Sequence, residues 1–179
     1  MSQFEFYTTE NSPDEAQALL LEAEKSFGFV PNMYGYMAEA PVTIEAYEAV
    51  NKLLNKTAYS PAQVQVALLS ASVENECGFC TVAHRAIGKM SKANQQTLDA
   101  LGNNLEIEDA SDKALSHFIR MLVKKRGCIS EEELASFFKS GFSKRQALEA
   151  VLIVSIKMLS NYINHLTHPE PNPELTAML

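Results

Sequence analysis

Residues 74 to 84 read ENECGFCTVAH, which places Cys77 and Cys80 three positions apart and His84 four positions beyond the second cysteine. Each residue type brings reactive chemistry. Two thiols exchange electrons as dithiol and disulfide, and an imidazole takes or holds a proton near neutrality. If the segment is helical, the cysteines share one face and need only modest adjustment to form a disulfide. His84 then stands one turn from Cys80, roughly 6 Å along the axis, and about 10.5 Å from Cys77. An imidazole so placed serves Cys80 directly and Cys77 only through water, so Cys80 is the expected nucleophile. Three uses stay open on spacing alone: a redox dithiol, part of a zinc site, or buried thiols with no reaction. Structural zinc takes four ligands from separated segments. A fourth ligand would have to come from His117, His165 or His168, and no second Cys-x-x-Cys or His-x3-His cluster exists. Inert thiols are a real alternative, because free cysteine is among the most buried residue types.

The elements that must position these groups are helices. SPAQVQVALLSASVE predicts an apolar helix from Pro61 to about Val73, with a turn near Asn75. A second helix then starts near Cys77 and runs to about Gly88. Both cysteines fall in its first turn, where free amides and the positive dipole end favour a thiolate. Glu74, three residues before Cys77, is a candidate proton acceptor beside the pair. Start signals recur at Ser12, Ser60, Ser130 and Ser143, and stop signals at Gly28, Gly102, Gly127, Gly141 and Pro169. Apolar residues repeat at helical spacing, as in Leu115, Phe118, Ile119, Leu122 and Val123. No strand-like alternation or hairpin turn appears. The expectation is a single all-α domain over residues 1–179, a bundle of about eight or nine helices with no sheet, ending in a tail after Pro169.

Composition narrows the partners. The chain has 179 residues, 46% hydrophobic and 21% charged, with a net charge of −7. Its basic run, Lys124-Lys125-Arg126, fits the last turn of a helix better than a nucleic-acid surface. The first residues, MSQFEFYTTENSPDE, lack the basic and apolar regions of a signal peptide, so a cytoplasmic location is expected. The longest apolar stretch, AVLIVSIKML, is broken by Ser155 and Lys157 and is far shorter than the ~20 residues that span a bilayer. Three cysteines without a secretory pattern argue against a disulfide framework and turn the Cys-x-x-Cys pair toward catalysis or metal. Cys128 reads as an incidental thiol. AVLIVSIKML is apolar almost right round a helix, which calls for a central position or a subunit interface. A stable homo-oligomer is the expectation.

SPAQVQVALLSASVENECGFCTVAH resembles the AhpD-like alkylhydroperoxidase group of the carboxymuconolactone decarboxylase family, in which an apolar helix precedes Cys-x-x-Cys-x3-His. FGFVPNMYGYMAEAP and GFSKRQALEAVLIVSIKMLSNYINHL resemble that group's flanking segments, so the likeness runs from about Gly28 to Leu166. It implies an all-helical fold, assembly as trimers or hexamers, and hydroperoxide reduction without a cofactor or metal. Cys80 would attack, Cys77 would resolve, and His84 would be the base. A lipoylated or other thiol protein would supply the electrons. Two positions depart from the group. Its glutamate twelve residues before the first cysteine is Gln65 here, and the histidine many members carry between the cysteines is Phe79. An amide orients but does not take a proton, so Gln65→Glu would be expected to raise a peroxidase rate. These departures also keep open a fold-retaining binding or assembly protein with weak redox activity.

Overall fold

The structure, a computed structural model, describes residues 3–179. Their helices are α1 (Asp14–Phe27), α2 (Asn32–Met37), α3 (Val42–Leu54), α4 (Pro61–Glu74), α5 (Gly78–Met90), α6 (Gln95–Gly102), α7 (Ala110–Lys124), α8 (Glu131–Lys139), α9 (Lys144–Thr167) and α10 (Pro173–Thr176). Among the described residues there is no strand, as the all-α expectation required. The count is ten helices rather than eight or nine. The surplus lies in α2 and α10, of six and four residues, too short to show a helical period in sequence.

Local chemistry sets most boundaries. Ser60, Ser130 and Ser143 form capping boxes with Gln63, Glu133 and Gln146. Ser12 does not cap α1; Pro13 holds that position and makes no side-chain cap. Gly28 ends α1 in the left-handed region, which glycine enters without a Cβ clash. Gly102 does not act in this way. It lies within α6, and Asn104 takes the left-handed conformation instead. Asn tolerates that region better than most residues.

Helix α4 forms the centre, buried along Val66–Ser72 and packed by α5, α6, α7 and α9. The larger apolar cluster gathers α4, α7, α8 and the first half of α9. In it Phe137 stacks on Phe118 at 3.9 Å and on Phe142 at 4.5 Å. A second cluster joins α1, α2, α3 and α5 around the two cysteines. The central helix is therefore α4, and α9 differs from the expectation of complete cover. Ala147, Ala150, Ile153 and Ile156 face inward, whereas Leu148 is 76% exposed and Val151 52%. Lys157, which reads in sequence as an interruption, is 1% exposed. The segment after Pro169 is not a loose tail. Asn172 accepts from the Asn32 amide at 2.8 Å and donates to the Val30 carbonyl at 3.1 Å, and α10 packs on α5 through buried Leu175.

Candidate active site

The corner between α4 and α5 sets the cysteines. Glu76 adopts φ 56° and its amide donates to the Val73 carbonyl. The Cys77 amide reaches back to the Ser72 carbonyl at 2.9 Å. This pair of bonds is a Schellman ending for α4. It makes Cys77 at once the residue that closes one helix and the N-cap of the next. Cys80 follows in the first turn of α5, and both thiols are buried and free. Asn75 at the same corner donates to Asn161 Oδ1 at 2.9 Å, which ties the turn to α9.

Helix α9 supplies the rest. Asn164 Nδ2 donates to Cys80 Sγ at 3.3 Å and to Cys77 Sγ at 3.5 Å. Lys157 Nζ donates to Cys80 Sγ at 3.3 Å and lies 2.8 Å from His84 Nε2. His84 Nδ1 meets Gln65 Oε1 at 3.0 Å. The amide oxygen can only accept, so Nδ1 carries the proton and Nε2 accepts from Lys157. The imidazole's partner is thus the ammonium and not Cys80 itself.

The electrostatics follow from burial and these contacts. The hydrogen bond from the Cys77 thiol, working against a burial penalty and followed by the charge of Lys157, lowers Cys80 to about 5. Cys77 moves up, because it donates to Cys80 and is itself desolvated. Burial works against the Lys157 charge, but the Cys80 thiolate overrides it and holds the ammonium above its ordinary value. His84 falls well below its usual range, first through burial and then through Lys157, and is neutral. The resting site is a thiolate–ammonium pair beside a thiol and a neutral imidazole.

A cavity of about 180 Å³ opens onto this group. Phe27, Phe29, Met33, Leu68, Phe79 and Leu175 line its apolar part. Gln65, Cys80, His84 and Lys157 line its polar end. Phe79, at the position of the resembled group's intervening histidine, contributes wall and no proton. Of the expected site residues, Cys77, Cys80, His84 and Gln65 come together. Glu74 does not join them. It pairs with Arg120 at 2.7 Å and lines a different cavity, because α4 turns it toward α7. Among the described residues no three His, Cys, Asp or Glu side chains are grouped to hold a metal. The Lys157 ammonium stands where a cation shared by Cys80 and His84 would have to sit. No helix is long and apolar enough to cross a membrane among the described residues.

No protein-family model and no curated protein matches the sequence. Solved structures do. A peroxidase-related protein of Ralstonia eutropha JMP134, described as an alkylhydroperoxidase AhpD core, superposes with a TM-score of 0.86 at 23% identity, over 99% of this chain and 95% of that one. A peroxidase-related protein of Silicibacter sp. TM1040 gives 0.79 at 21% identity, over 98% and 97%. The debrominase Bmp8, solved in complex with 2,3,4-tribromopyrrole, gives 0.77 at 15% identity, over 99% and 96%. Over nearly its whole length, the chain has the fold of the alkylhydroperoxidase AhpD core.

Proposed function

We propose that this protein is a dithiol oxidoreductase that reduces organic hydroperoxides. One observation carries the reading: Cys80 faces an aromatic-lined cavity with a buried ammonium 3.3 Å from its sulfur and with Cys77 held beside it by the Asn164 amide that both sulfurs share. A thiolate in that setting attacks the terminal peroxide oxygen, the O–O bond breaks, and Cys80 becomes a sulfenic acid as the alkoxide leaves. The Cys77 thiol then attacks the Cys80 sulfur, a disulfide forms and water departs. Cys77 is suited to resolve, because its raised pKa keeps it a thiol during the first step. His84 acts on Cys80 through the Lys157 ammonium rather than by direct contact. The apolar lining favours an organic hydroperoxide over hydrogen peroxide. A lipoylated or dithiol protein would return the electrons in the cytoplasm.

The deciding experiment counts thiols before and after one equivalent of cumene hydroperoxide. Wild type should lose two, Cys80→Ser none, and Cys77→Ser should stop at a Cys80 sulfenic acid that dimedone labels. Labelling of Cys77 in Cys80→Ser would reverse the roles. The aromatic cavity and the likeness to a debrominase favour a second reading, reductive dehalogenation of a small aryl halide. In that reaction the dithiol gives two electrons, the carbon takes a proton, and halide leaves as the disulfide forms. Bromide release from a bromopyrrole without peroxide consumption would select it. Neither thiol loss nor bromide release would leave a binding or assembly protein.

The exposed stripe on α9, with Leu148, Val151, Tyr162 and Leu166, supports self-association as a trimer or hexamer. Light scattering at micromolar concentration tests this; a monomer of 19.8 kDa would refute it.

A further inference from the structure

We infer that Lys157 is a catalytic residue that holds Cys80 as a thiolate and hands its own proton to the leaving oxygen. This inference rests on the dithiol reading and assigns it a group outside the Cys-x-x-Cys-x3-His pattern.

Burial makes the first half of the argument. An ammonium 1% exposed costs several kcal/mol to desolvate unless an anion answers it. Among the described residues no carboxylate pairs with Lys157. The titratable groups that bear on it are Cys77, Cys80 and His84 from α5 and Tyr47 from α3, with Glu48 beyond Tyr47. His84 is neutral, Cys77 is a thiol and burial raises Tyr47, so the Cys80 thiolate is the anion. The dependence is mutual: a thiolate 2% exposed needs the cation as much as the cation needs it.

The second half follows from what oxidation does to that pair. When Cys80 attacks, its negative charge passes to the alkoxide and the sulfur becomes a neutral sulfenic acid. Lys157 then has no buried counter-ion, and burial favours its neutral amine. The alkoxide is far more basic than an amine, so the proton passes from Nζ to the leaving oxygen and the alcohol departs uncharged. Resolution is balanced in the same way. The Cys77 proton goes to the hydroxide that leaves the Cys80 sulfur, giving water and the disulfide. The amine regains its proton when the disulfide is later reduced to thiolate and thiol. His84 Nε2, already accepting from Nζ, fixes the direction of the ammonium and is a positioning residue.

The test uses Lys157→Met in a Cys128→Ser background, so that the exposed third thiol is silent. Met matches the stem, and Cys80 escapes the cost of an unpaired buried charge by taking a proton; circular dichroism checks the helices, and Lys157→Gln is scored identically if Met folds poorly. Thiolate absorbance should titrate near 5 in the parent and at or above an ordinary thiol value of about 8.5 in the variant. Iodoacetamide alkylation at about pH 7 should fall roughly 30-fold, the corresponding loss of thiolate. An unchanged titration in a folded variant overturns the thiolate role. For proton donation, hydroperoxide and alkylation rates are compared at about pH 10, where both proteins carry the thiolate. Iodide leaves without a proton and an alkoxide does not, so the ratio of the two rates should stay at least ~10-fold lower in the variant. A restored ratio overturns the donor role. If the parent consumes no hydroperoxide, the proposed function fails, while the titration still decides what Lys157 does to Cys80.

Discussion

The two halves of α9 bury different things. From Ala147 to Ile156 the inward face is apolar, with Ala147, Ala150, Ile153 and Ile156 set in the main core. From Lys157 to Thr167 the same face buries Lys157, Ser160, Asn161, Asn164 and Thr167. Shape alone satisfies the first half, and hydrogen bonding must satisfy the second. Ser160 and Thr167 donate to carbonyls one turn back, Asn161 accepts from Asn75, and Asn164 holds both sulfurs. Two buried atoms of this half, Asn161 Nδ2 and Asn164 Oδ1, have no protein partner. A helix that tolerates such groups is shaped by something besides stability. The first half fixes where α9 lies, and the second supplies the site's charge and donors.

The sharpest way to break that contrast is to injure each half separately. Ile153→Ala should cost about 2–5 kcal/mol of stability, by lost transfer energy and a cavity in the main cluster. Alkylation of Cys80 should hardly change, because Ile153 belongs to the main cluster and both cysteines to the other. Chemical denaturation and iodoacetamide kinetics on one sample read both. Loss of thiol reactivity in a protein still folded at the assay temperature would mean that the halves are not separable. Asn164→Leu should do the reverse. A hydrogen bond to a charged group contributes about 1.5–3 kcal/mol, so its loss should move the Cys80 titration up from about 5, slowing alkylation by roughly 10- to 100-fold at about pH 4 and by ~3-fold or less at neutral pH. Stability should move less than in Ile153→Ala, since the exchange also removes an unsatisfied buried oxygen.

The same contrast explains what could be read in the sequence. Capping serines, apolar spacing and the Cys-x-x-Cys-x3-His pattern lie within single helices, so Cys77, Cys80 and His84 and the all-helical fold were legible. The partner of Cys80 was not, because Lys157 is 77 residues away and sits in an apolar run where a lysine normally marks the solvent side. Only its place, one turn after Ile153 on the inward face, could have hinted at burial. Glu74 misled for the opposite reason. It is near Cys77 along the chain, but the left-handed turn at Glu76 sends the two away from each other, and Arg120 of α7 takes the carboxylate. Leu175 was invisible because a four-residue helix after two prolines carries no period.

Acid should separate the halves next. The folded value of Cys80, about 5, lies below its unfolded one. It therefore contributes stability that is full above the unfolded value and is lost as pH falls through 5. Buried neutral His84 acts in the same direction, since the unfolded chain binds its proton first. Between about pH 6 and pH 4 the alkylation rate should drop ~10-fold with the thiolate fraction. The melting temperature should fall over the same interval, and by less in Lys157→Met, where the thiolate is already gone. A flat rate across that range would show that Cys80 is not held at so low a value.

The smallest expected effect is at Gln65, and here the structure reverses the expectation from sequence. Read alone, the missing carboxylate suggests that Gln65→Glu would restore a proton acceptor and raise a peroxidase rate by ~10-fold or more. The surroundings argue otherwise. Gln65 Oε1 already accepts from His84 Nδ1, and His84 Nε2 already accepts a hydrogen bond from the Lys157 ammonium at 2.8 Å. A carboxylate at this position makes the imidazole more basic, so the proton it shares with Nζ shifts toward the ring. Two full cations at that distance are unfavourable in a buried site, so a charged imidazole leaves Lys157 nearer the neutral amine. Cys80 then keeps a positive neighbour, but one that does not touch its sulfur and is less ready to give a proton to the leaving oxygen. The site as it stands balances one cation against one anion with a neutral amide behind them, and a third charge disturbs that balance without adding a needed base. Peroxide turnover in Gln65→Glu should be unchanged or lower, with the Cys80 titration moved upward from about 5. A rise of ~10-fold with the titration unmoved would mean that proton removal by His84, and not the ammonium, limits the reaction.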